Sequence, residues 1–303
     1  MGNHHHHQHP SSDRVDRAFV ISLVLNSLLV AVQLIVGLAA GSLALLADAG
    51  HNFSDVIALV LGLMAVRLAR RPRSDRRTFG LSRVGILAAL INAAALLAVC
   101  GGIAWEAFQR LQQPATVAYG PVILAAGLGV LINGGTALLF LQQGKRDLNL
   151  RAAFLHLGSD AAISVGVIGA GFVIQFTRWS WVDPLVSLVI TLLIGLSTWS
   201  LLRESLDLML DAVPEHINLP QVEAYLRSQP GVADLHDLHV WALSTQESAL
   251  TVHLVLPNGH PGDDWLHDLS QQLHDRFGIE HPTIQIETSG QNCRLLKAHK
   301  GHH

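Results

Sequence analysis

Long apolar stretches separated by short polar ones dominate the first part of this 303-residue chain. Six of these stretches are about 20 residues long, the length that an α-helix needs to cross roughly 30 Å of hydrocarbon. Six successive stretches without a polar face do not suit a soluble helical core, so the sequence predicts six membrane-spanning helices. Their expected bounds are Phe19–Leu38, Leu43–Val66, Ile86–Ala107, Pro121–Leu141, Ala152–Phe176 and Leu185–Leu202.

The pattern changes from residue 212 onwards, where Asp, Glu, His and Gln become frequent. Alternating apolar positions predict strands there, and apolar residues at helical spacing predict helices. The order α-β-β-α-β predicts a small α+β domain, ferredoxin-like or metallochaperone-like, after an all-α six-helix membrane domain. Its expected elements are a helix to about Ser228, strands 232–243 and 249–256, a helix 263–277 and a strand 282–287.

Composition agrees with a membrane part followed by a polar part. Hydrophobic residues make up 50% of the chain and charged residues 14%, with a mean hydropathy of +0.37. These values are unusual for a soluble protein of this length. The expected domains are a histidine-rich N-terminal tail at 1–16, the six-helix domain at 17–211, the polar domain at 212–290 and a C-terminal tail at 291–303.

Basic residues are distributed unevenly among the loops between the expected spans. The stretch between spans two and three holds arginines at positions 67, 70, 71, 73, 76, 77 and 83, whereas two of the opposite loops hold only Arg110 and Arg178. Because the more basic loops stay in the cytoplasm, we expect both chain termini there. The chain opens with polar residues and its first apolar stretch is a full span, so no cleavable signal peptide is expected.

Two short sequence motifs inside the apolar stretches contain residues that can bind a metal ion. Residues 51–55 read HNFSD and residues 156–160 read HLGSD, so each string places an imidazole and a carboxylate four residues apart. Residues at that spacing share one face of a helix, and ionisable residues in a membrane helix mark functional sites. Two such helices facing each other would supply a complete tetrahedral set for zinc. The expected ligands are His51, Asp55, His156 and Asp160.

Other polar residues in the spans are open to more than one interpretation. Asp48 lies one turn before His51 and could be a fifth ligand, a carboxylate that orients the imidazole, or a proton acceptor. Asn26, Asn92 and Asn133 suit hydrogen bonds between helices or contacts to a substrate.

Other classes of partner have little support in the sequence. Cys100 and Cys293 do not make a disulfide framework. The position of the arginine-rich loop beside the membrane explains its charge through topology and contact with lipid head groups, so no nucleic acid is expected as a partner.

Three motifs carry a family resemblance. Residues 41–51 read GSLALLADAGH, residues 78–80 read TFG and residues 235–241 read LHDLHVW. Together they make the chain similar to the cation diffusion facilitator family, and most similar to its bacterial zinc-efflux members. The resemblance implies six transmembrane helices in a bacterial inner membrane, a cytoplasmic metallochaperone-like domain, a homodimer, and exchange of divalent metal for protons.

The resemblance places the transport site on the same four residues in the second and fifth spans. Histidine at both paired positions is associated in this family with a preference for zinc over manganese or iron. Some members carry a further metal site in the loop between spans two and three, built from one aspartate and two histidines. Here residues 70–77 read RRPRSDRR and contain no histidine, so we expect that loop site to be absent.

The family's cytoplasmic metal ligands fall by position on His236, His253 and Glu287. Pairing about the hairpin turn could instead place His239 opposite His253, and His281 is a further candidate. The tail histidines could collect metal by flexible chelation or, at the N-terminus, derive from an expression tag. They lie at positions 4–7, 9, 299, 302 and 303.

The expected function is export of Zn²⁺ from the cytoplasm by alternating access and exchange for protons, with Cd²⁺ and related cations as further substrates and zinc also as a regulatory ligand. Zinc binds neutral imidazole and ionised carboxylate, so loading displaces protons and protonation releases metal. Two alternatives are a membrane-anchored metal sensor or scaffold and an intramembrane zinc metalloenzyme. Four converging ligands leave no open position for a catalytic water, which argues against an enzyme.

Overall fold

A computed structural model of the chain describes residues 12–69, 74–113, 115–143 and 148–289. The tail histidines and Cys293 lie outside the described residues, so the expectations about them stay predictions.

Six long helices form the first part of the fold, and all six are long and apolar enough to cross a membrane. Each expected span falls within one of these helices, and several helices continue past the apolar stretch into polar sequence. The helices are α1 Ser12–Ala40, α2 Leu43–Ala69, α3 Val84–Gln112, α4 Tyr119–Gln143, α5 Leu148–Thr177 and α6 Val182–Met209.

Large apolar side chains cover the outside of these helices. On α4, the exposed residues Leu124, Leu131 and Leu138 recur at every second helical turn. Continuous apolar surface of this kind is unfavourable in water and matches a hydrocarbon solvent. The inside is packed with smaller residues, and Ala44 and Ala126 are almost fully buried in the central cluster.

The beginning of α2 is held by a residue of α6. The Ser42 hydroxyl donates to Asp183 Oδ1 at 2.6 Å, and the Leu43 amide donates to Asp183 Oδ2 at 2.9 Å. A carboxylate at this position satisfies amides that the helix cannot pair internally and complements the positive end of the helix dipole. Further along α2, the Asn92 side chain of α3 donates to Ser54 Oγ at 2.9 Å.

The C-terminal domain is a three-stranded sheet with two helices, which confirms the expected α-β-β-α-β order. Strand β2 lies in the middle, antiparallel to β1 and parallel to β3. Leu250, Leu254 and Leu273 are fully buried in its core. The elements are α7 Leu219–Arg227, β1 Asp234–Ala242, β2 Ser248–Val255, α8 Asp263–Phe277 and β3 His281–Glu287.

Local sequence signals set the bounds of the two helices in this domain. Asn218 caps α7, because its side chain accepts a hydrogen bond from the Gln221 amide, and Pro220 occupies the first turn. Helix α8 ends at Gly278, whose φ of 66° is a left-handed conformation that favours glycine.

Two compact units can be distinguished by the contacts within the chain. One comprises the described parts of Met1–Val60 and Ile91–Ser200, and the other those of Leu61–Leu90 and Leu201–His303. The second unit therefore contains the loop between α2 and α3 together with the C-terminal domain.

Gly129 on α4 provides a test of the close helix packing. A Cβ atom there would lie 2.7 Å from Ser164 Oγ and 3.2 Å from Gln33 Nε2. Both atoms donate hydrogen bonds to Asp48, so neither can turn away without losing a bond. We expect Gly129→Ala to lower the melting temperature of the purified protein in detergent, by the ~1–3 kcal/mol typical of overpacking.

Gly127→Ala is the matched control, because nothing lies within 4 Å of a Cβ at that position. Alanine is the better helix former, so this variant should keep or slightly raise the melting temperature. Equal melting temperatures for the two variants would contradict the close approach at Gly129.

Candidate metal centres

Helices α2 and α5 face each other through four side chains that the sequence singled out. His51 Nε2 lies 3.2 Å from Asp160 Oδ1 and 3.8 Å from Asp55 Oδ2. His156 Nε2 lies 3.4 Å from Asp55 Oδ2 and 3.8 Å from Asp160 Oδ2. Each imidazole therefore faces both carboxylates, one on its own helix and one on the other.

These separations match the edges of a zinc coordination tetrahedron. Ligands at 2.0–2.1 Å from a tetrahedral zinc ion are about 3.3–3.4 Å apart. The four nitrogen–oxygen distances lie between 3.2 and 3.8 Å, and the ligand atoms of His51, His156 and Asp160 all lie within 4.8 Å of one another. Asp55 lies outside this group, so an ion bound by all four residues would require its side chain to move closer to the other ligands.

The cluster is closed at one end and open at the other. His51 meets Asp160 and Asp55 meets His156, so the two helices run in opposite directions through the site. Asp160 and His51 are 3% and 14% exposed, whereas Asp55 and His156 are 31% and 49% exposed. The open end is the one where α2 continues toward its C-terminus and α5 begins.

A buried polar network lies beyond the closed end. Asp48 Oδ2 accepts hydrogen bonds from Gln33 Nε2 at 2.7 Å and from Ser164 Oγ at 2.9 Å. The Asn52 amide donates to Gln33 Oε1 at 3.1 Å and to Asp48 Oδ1 at 3.5 Å. The Asn133 amide donates to Asn52 Oδ1 at 3.5 Å. The network thus joins α1, α2, α4 and α5 around a single carboxylate.

The hydrogen bonds of Asp48 point away from the four-residue cluster. They go to neutral donors on α1, α2 and α5, and His51 Nδ1 has no hydrogen-bond partner among the described residues. In this structure Asp48 therefore does not orient the His51 imidazole by a hydrogen bond. Asn92 and Asn133 both bond to α2, as the interhelical interpretation predicts. Sequence reasoning missed Gln33, whose only signal was a lone amide in an apolar span.

A second cluster lies on the sheet of the C-terminal domain. His236 and His253 are directly opposite each other on β1 and β2, and their ring centroids are 5.1 Å apart. His253 Nδ1 lies 2.9 Å from Glu287 Oε1, and His236 Nε2 lies 3.4 Å from Glu287 Oε2. The three ligand atoms lie within 4.8 Å of one another, which suits a metal ion with one further coordination position.

A break in the strand register decides between the candidate histidines. The register shifts between His236 and His239, so His239 pairs with Thr251 instead of His253. Asp237, between them, has a φ of 53°, and its Oδ2 lies 3.7 Å from His253 Nε2. The Asp237 carboxylate is closer to His239, with Oδ1 3.0 Å from Nε2, than to His253, and sequence reasoning did not single it out. The other alternate, His281, has its ring 6.5 Å from that of Phe79.

Comparison with known proteins identifies the family. Residues 19–210 match the cation efflux transmembrane domain, and residues 214–289 match the cytoplasmic domain of cation efflux proteins. The chain therefore belongs to the cation efflux family, whose members are also called cation diffusion facilitators. It is a multi-pass membrane transporter of metal cations and not an enzyme.

Several relatives match over nearly the whole chain. The metal cation efflux system protein CzcD of Cupriavidus metallidurans is 38% identical over 95% of this chain and 90% of its own length. The zinc transporter ZitB of Escherichia coli is 35% identical over 98% of both chains. The cadmium, cobalt and zinc/H(+)-K(+) antiporter of Bacillus subtilis is 33% identical over 95% of this chain and 93% of its own. The chain is thus of the bacterial zinc-efflux type.

One solved structure also matches the C-terminal part. The metal-bound C-terminal domain of the CzcD transporter from Cupriavidus metallidurans is 43% identical, covers 23% of this chain and 99% of its own, and gives a TM-score of 0.22.

The Asp48 network predicts that an amide cannot replace this carboxylate. Asp48→Asn would turn an NH₂ group toward the donors of Gln33, Asn52 or Ser164, leaving buried donors without acceptors. We expect a loss of about 1–3 kcal/mol in stability, measured as a lower melting temperature in detergent. The control is Asp75→Asn, which changes an exposed aspartate in the α2–α3 loop. An unchanged melting temperature for Asp48→Asn would contradict the network.

Proposed function

We propose that the protein exports Zn²⁺ from the bacterial cytoplasm across the inner membrane in exchange for protons. The transport site consists of His51, Asp55, His156 and Asp160. The observation that carries this proposal is the set of four nitrogen–oxygen distances, all close to the edge of a zinc tetrahedron, on two helices that cross the membrane. The relatives named as zinc transporters support zinc as the substrate.

The ligand set supports a divalent ion of intermediate softness. Two carboxylates neutralise the charge of a dication, which would otherwise be strongly unfavourable in hydrocarbon. Two imidazoles favour zinc and similar transition metals over magnesium, calcium or manganese, which prefer oxygen ligands. Cadmium and cobalt are further substrates on the same chemical grounds, and one relative is named for all three metals.

Proton exchange follows from the chemistry of these ligands. The imidazoles bind zinc only when they are neutral, and the carboxylates only when they are ionised. When the ion leaves, protons on the imidazoles would replace its charge and satisfy the carboxylates that face them. Histidine changes its charge near neutral pH, within the range of a proton gradient across a bacterial membrane.

The open end of the site supports loading from the cytoplasm. Asp55 and His156, the more exposed pair, lie on the side where α2 leads into the arginine-rich loop. Basic loops remain in the cytoplasm, so the proposal assigns the inward-facing state to this conformation. Release of the ion on the other side would require the closed end to open. The hydrogen bonds of the Asp48 network between α2 and its neighbouring helices would then have to break.

The cluster on the soluble sheet suits a regulatory role in a homodimer. His236, His253 and Glu287 supply three ligands and leave one position for water or a further group. Zinc bound there would fix β1 and β3 to β2 and shift the conformational populations of the transporter. Such coupling must appear as a change in affinity or rate at the membrane site.

The main test is zinc flux in proteoliposomes with and without an imposed pH gradient. We expect wild-type uptake to rise with an outwardly directed proton gradient and protons to move opposite to zinc. Asp160→Asn should reduce flux to background, because it removes one of two negative charges that neutralise the ion. Asp207→Asn, an exposed aspartate near the end of α6, should transport normally.

Two results would count against the proposal. Flux of the Asp160→Asn variant at the wild-type rate would remove Asp160 from the site. Zinc binding without any flux, in wild-type protein that is correctly inserted, would favour the membrane-anchored sensor.

The cytoplasmic cluster has its own test. We expect His253→Ala to weaken one class of zinc-binding sites in full-length protein by at least about tenfold, seen by isothermal titration calorimetry. Flux should persist, because the ion path is built from α2 and α5, but its activation by cytoplasmic zinc should flatten. His274→Ala changes an exposed histidine on α8 and should leave both properties unchanged. Identical titrations for the two variants would exclude a metal site there.

A further inference from the structure

A cavity of about 480 Å³ lies between the α2–α3 loop and the C-terminal domain, within the second compact unit. Three arginines of the loop contribute to its lining, together with apolar side chains from the loop and from strand β1 and the residues after it. The lining residues used below are Arg76, Arg77, Phe79, Arg83, Trp241 and Leu243. None of them belongs to either metal cluster.

The loop around this cavity is ordered by its own hydrogen bonds. Ser74 and Arg77 exchange backbone hydrogen bonds at 3.2 and 2.9 Å, and the Gly80 amide donates to Arg77 O at 2.9 Å. Gly80 has a φ of 71°, a left-handed turn position that favours glycine. The Ser82 hydroxyl donates to Phe79 O at 2.6 Å. The cavity wall is therefore preformed by a series of tight turns.

The three arginines of the cavity differ in whether they form an ion pair with the protein. Arg83 pairs with Asp211. Arg76 and Arg77 are exposed, and no ion pair to either is present among the described residues. Guanidinium groups bind phosphate oxygens through paired hydrogen bonds, so two such groups beside a preformed cavity suit a phosphate-bearing anion.

The position of the cavity along the chain favours a phospholipid as the source of that phosphate. The membrane-spanning helix α3 begins at Val84, directly after Arg83, and Val84 also lines the cavity. A membrane span that begins at Val84 would place the cavity at the level of the lipid head groups. Phe79 is 52% exposed, and Trp241 adds a second aromatic group. Aromatic side chains are enriched at this level of the membrane.

We propose that this cavity binds the head group of an anionic phospholipid, with the phosphate held by Arg76 and Arg77 and the glycerol end against Phe79 and Trp241. The lipid would connect the α2–α3 loop to the C-terminal domain from the membrane side. Because α2 carries His51 and Asp55, the lipid would act on the helix that holds half of the transport site. The binding itself is independent of whether that site transports zinc.

The test measures lipid binding to full-length protein in detergent by native mass spectrometry. The probes are phosphatidylglycerol and phosphatidylcholine with identical acyl chains, which differ in net charge but share a phosphate. We expect one tightly bound phosphatidylglycerol per chain and weaker phosphatidylcholine binding. Arg76→Gln and Arg77→Gln should each weaken phosphatidylglycerol binding roughly tenfold, the effect of one charge-assisted hydrogen bond.

Arg203→Gln is the matched control, since Arg203 is an exposed arginine near the end of another span. It should bind phosphatidylglycerol as the wild type does, and melting temperatures without lipid should be equal for all variants. Equal phosphatidylglycerol binding by Arg77→Gln and Arg203→Gln would overturn the proposal. Competition by millimolar inorganic phosphate as strong as that by a short-chain phosphatidylglycerol would overturn the lipid assignment in favour of a soluble anion.

Discussion

The negative charge of a carboxylate buried in hydrocarbon must be balanced by nearby hydrogen-bond donors or positive charge. This constraint explains the polar contacts inside the membrane part. The buried aspartates there use two kinds of partner. Asp48 and Asp183 accept hydrogen bonds from neutral amide and hydroxyl groups. These donors belong to the protein, and a metal ion does not replace them. Asp160 faces imidazoles, which can give way to a metal ion. In the proposed function, it is the second arrangement that exchanges protons for a metal cation.

Helix α2 is the element on which the other helices converge. Its bonds reach Gln33 of α1, Asn92 of α3, Ser164 of α5 and Asp183 of α6. Among the described residues, these bonds and those of the metal cluster all leave α2 between its beginning and Asp55. The half of α2 that leads to the arginine-rich loop instead carries exposed apolar residues, among them Leu59, Leu63 and Met64. A rocking motion of α2 would therefore have to rearrange the bonds of its first half.

The sequence was sufficient for elements that depend on local patterns. The six spans follow from apolar length, helix α8 from its spacing, and the two imidazole–carboxylate pairs from positions four residues apart. No local pattern predicts that His236 pairs with His253, because this depends on a register shift between His236 and His239; only the family resemblance pointed to His236. The network around Asp48 could not be predicted from the sequence either. Its members lie on four helices, and in the sequence each is an isolated polar residue.

The cap on α2 has a consequence for how the protein assembles in the membrane. Ser42 and Asp183 are 141 positions apart, so the cap of the second helix is not synthesised until the sixth. Until then the first amides of α2 must find other acceptors, such as water or lipid head groups. The helix that carries His51 and Asp55 therefore reaches its final anchoring only when the last span has been inserted. The order of synthesis places completion of the candidate site at the end of assembly.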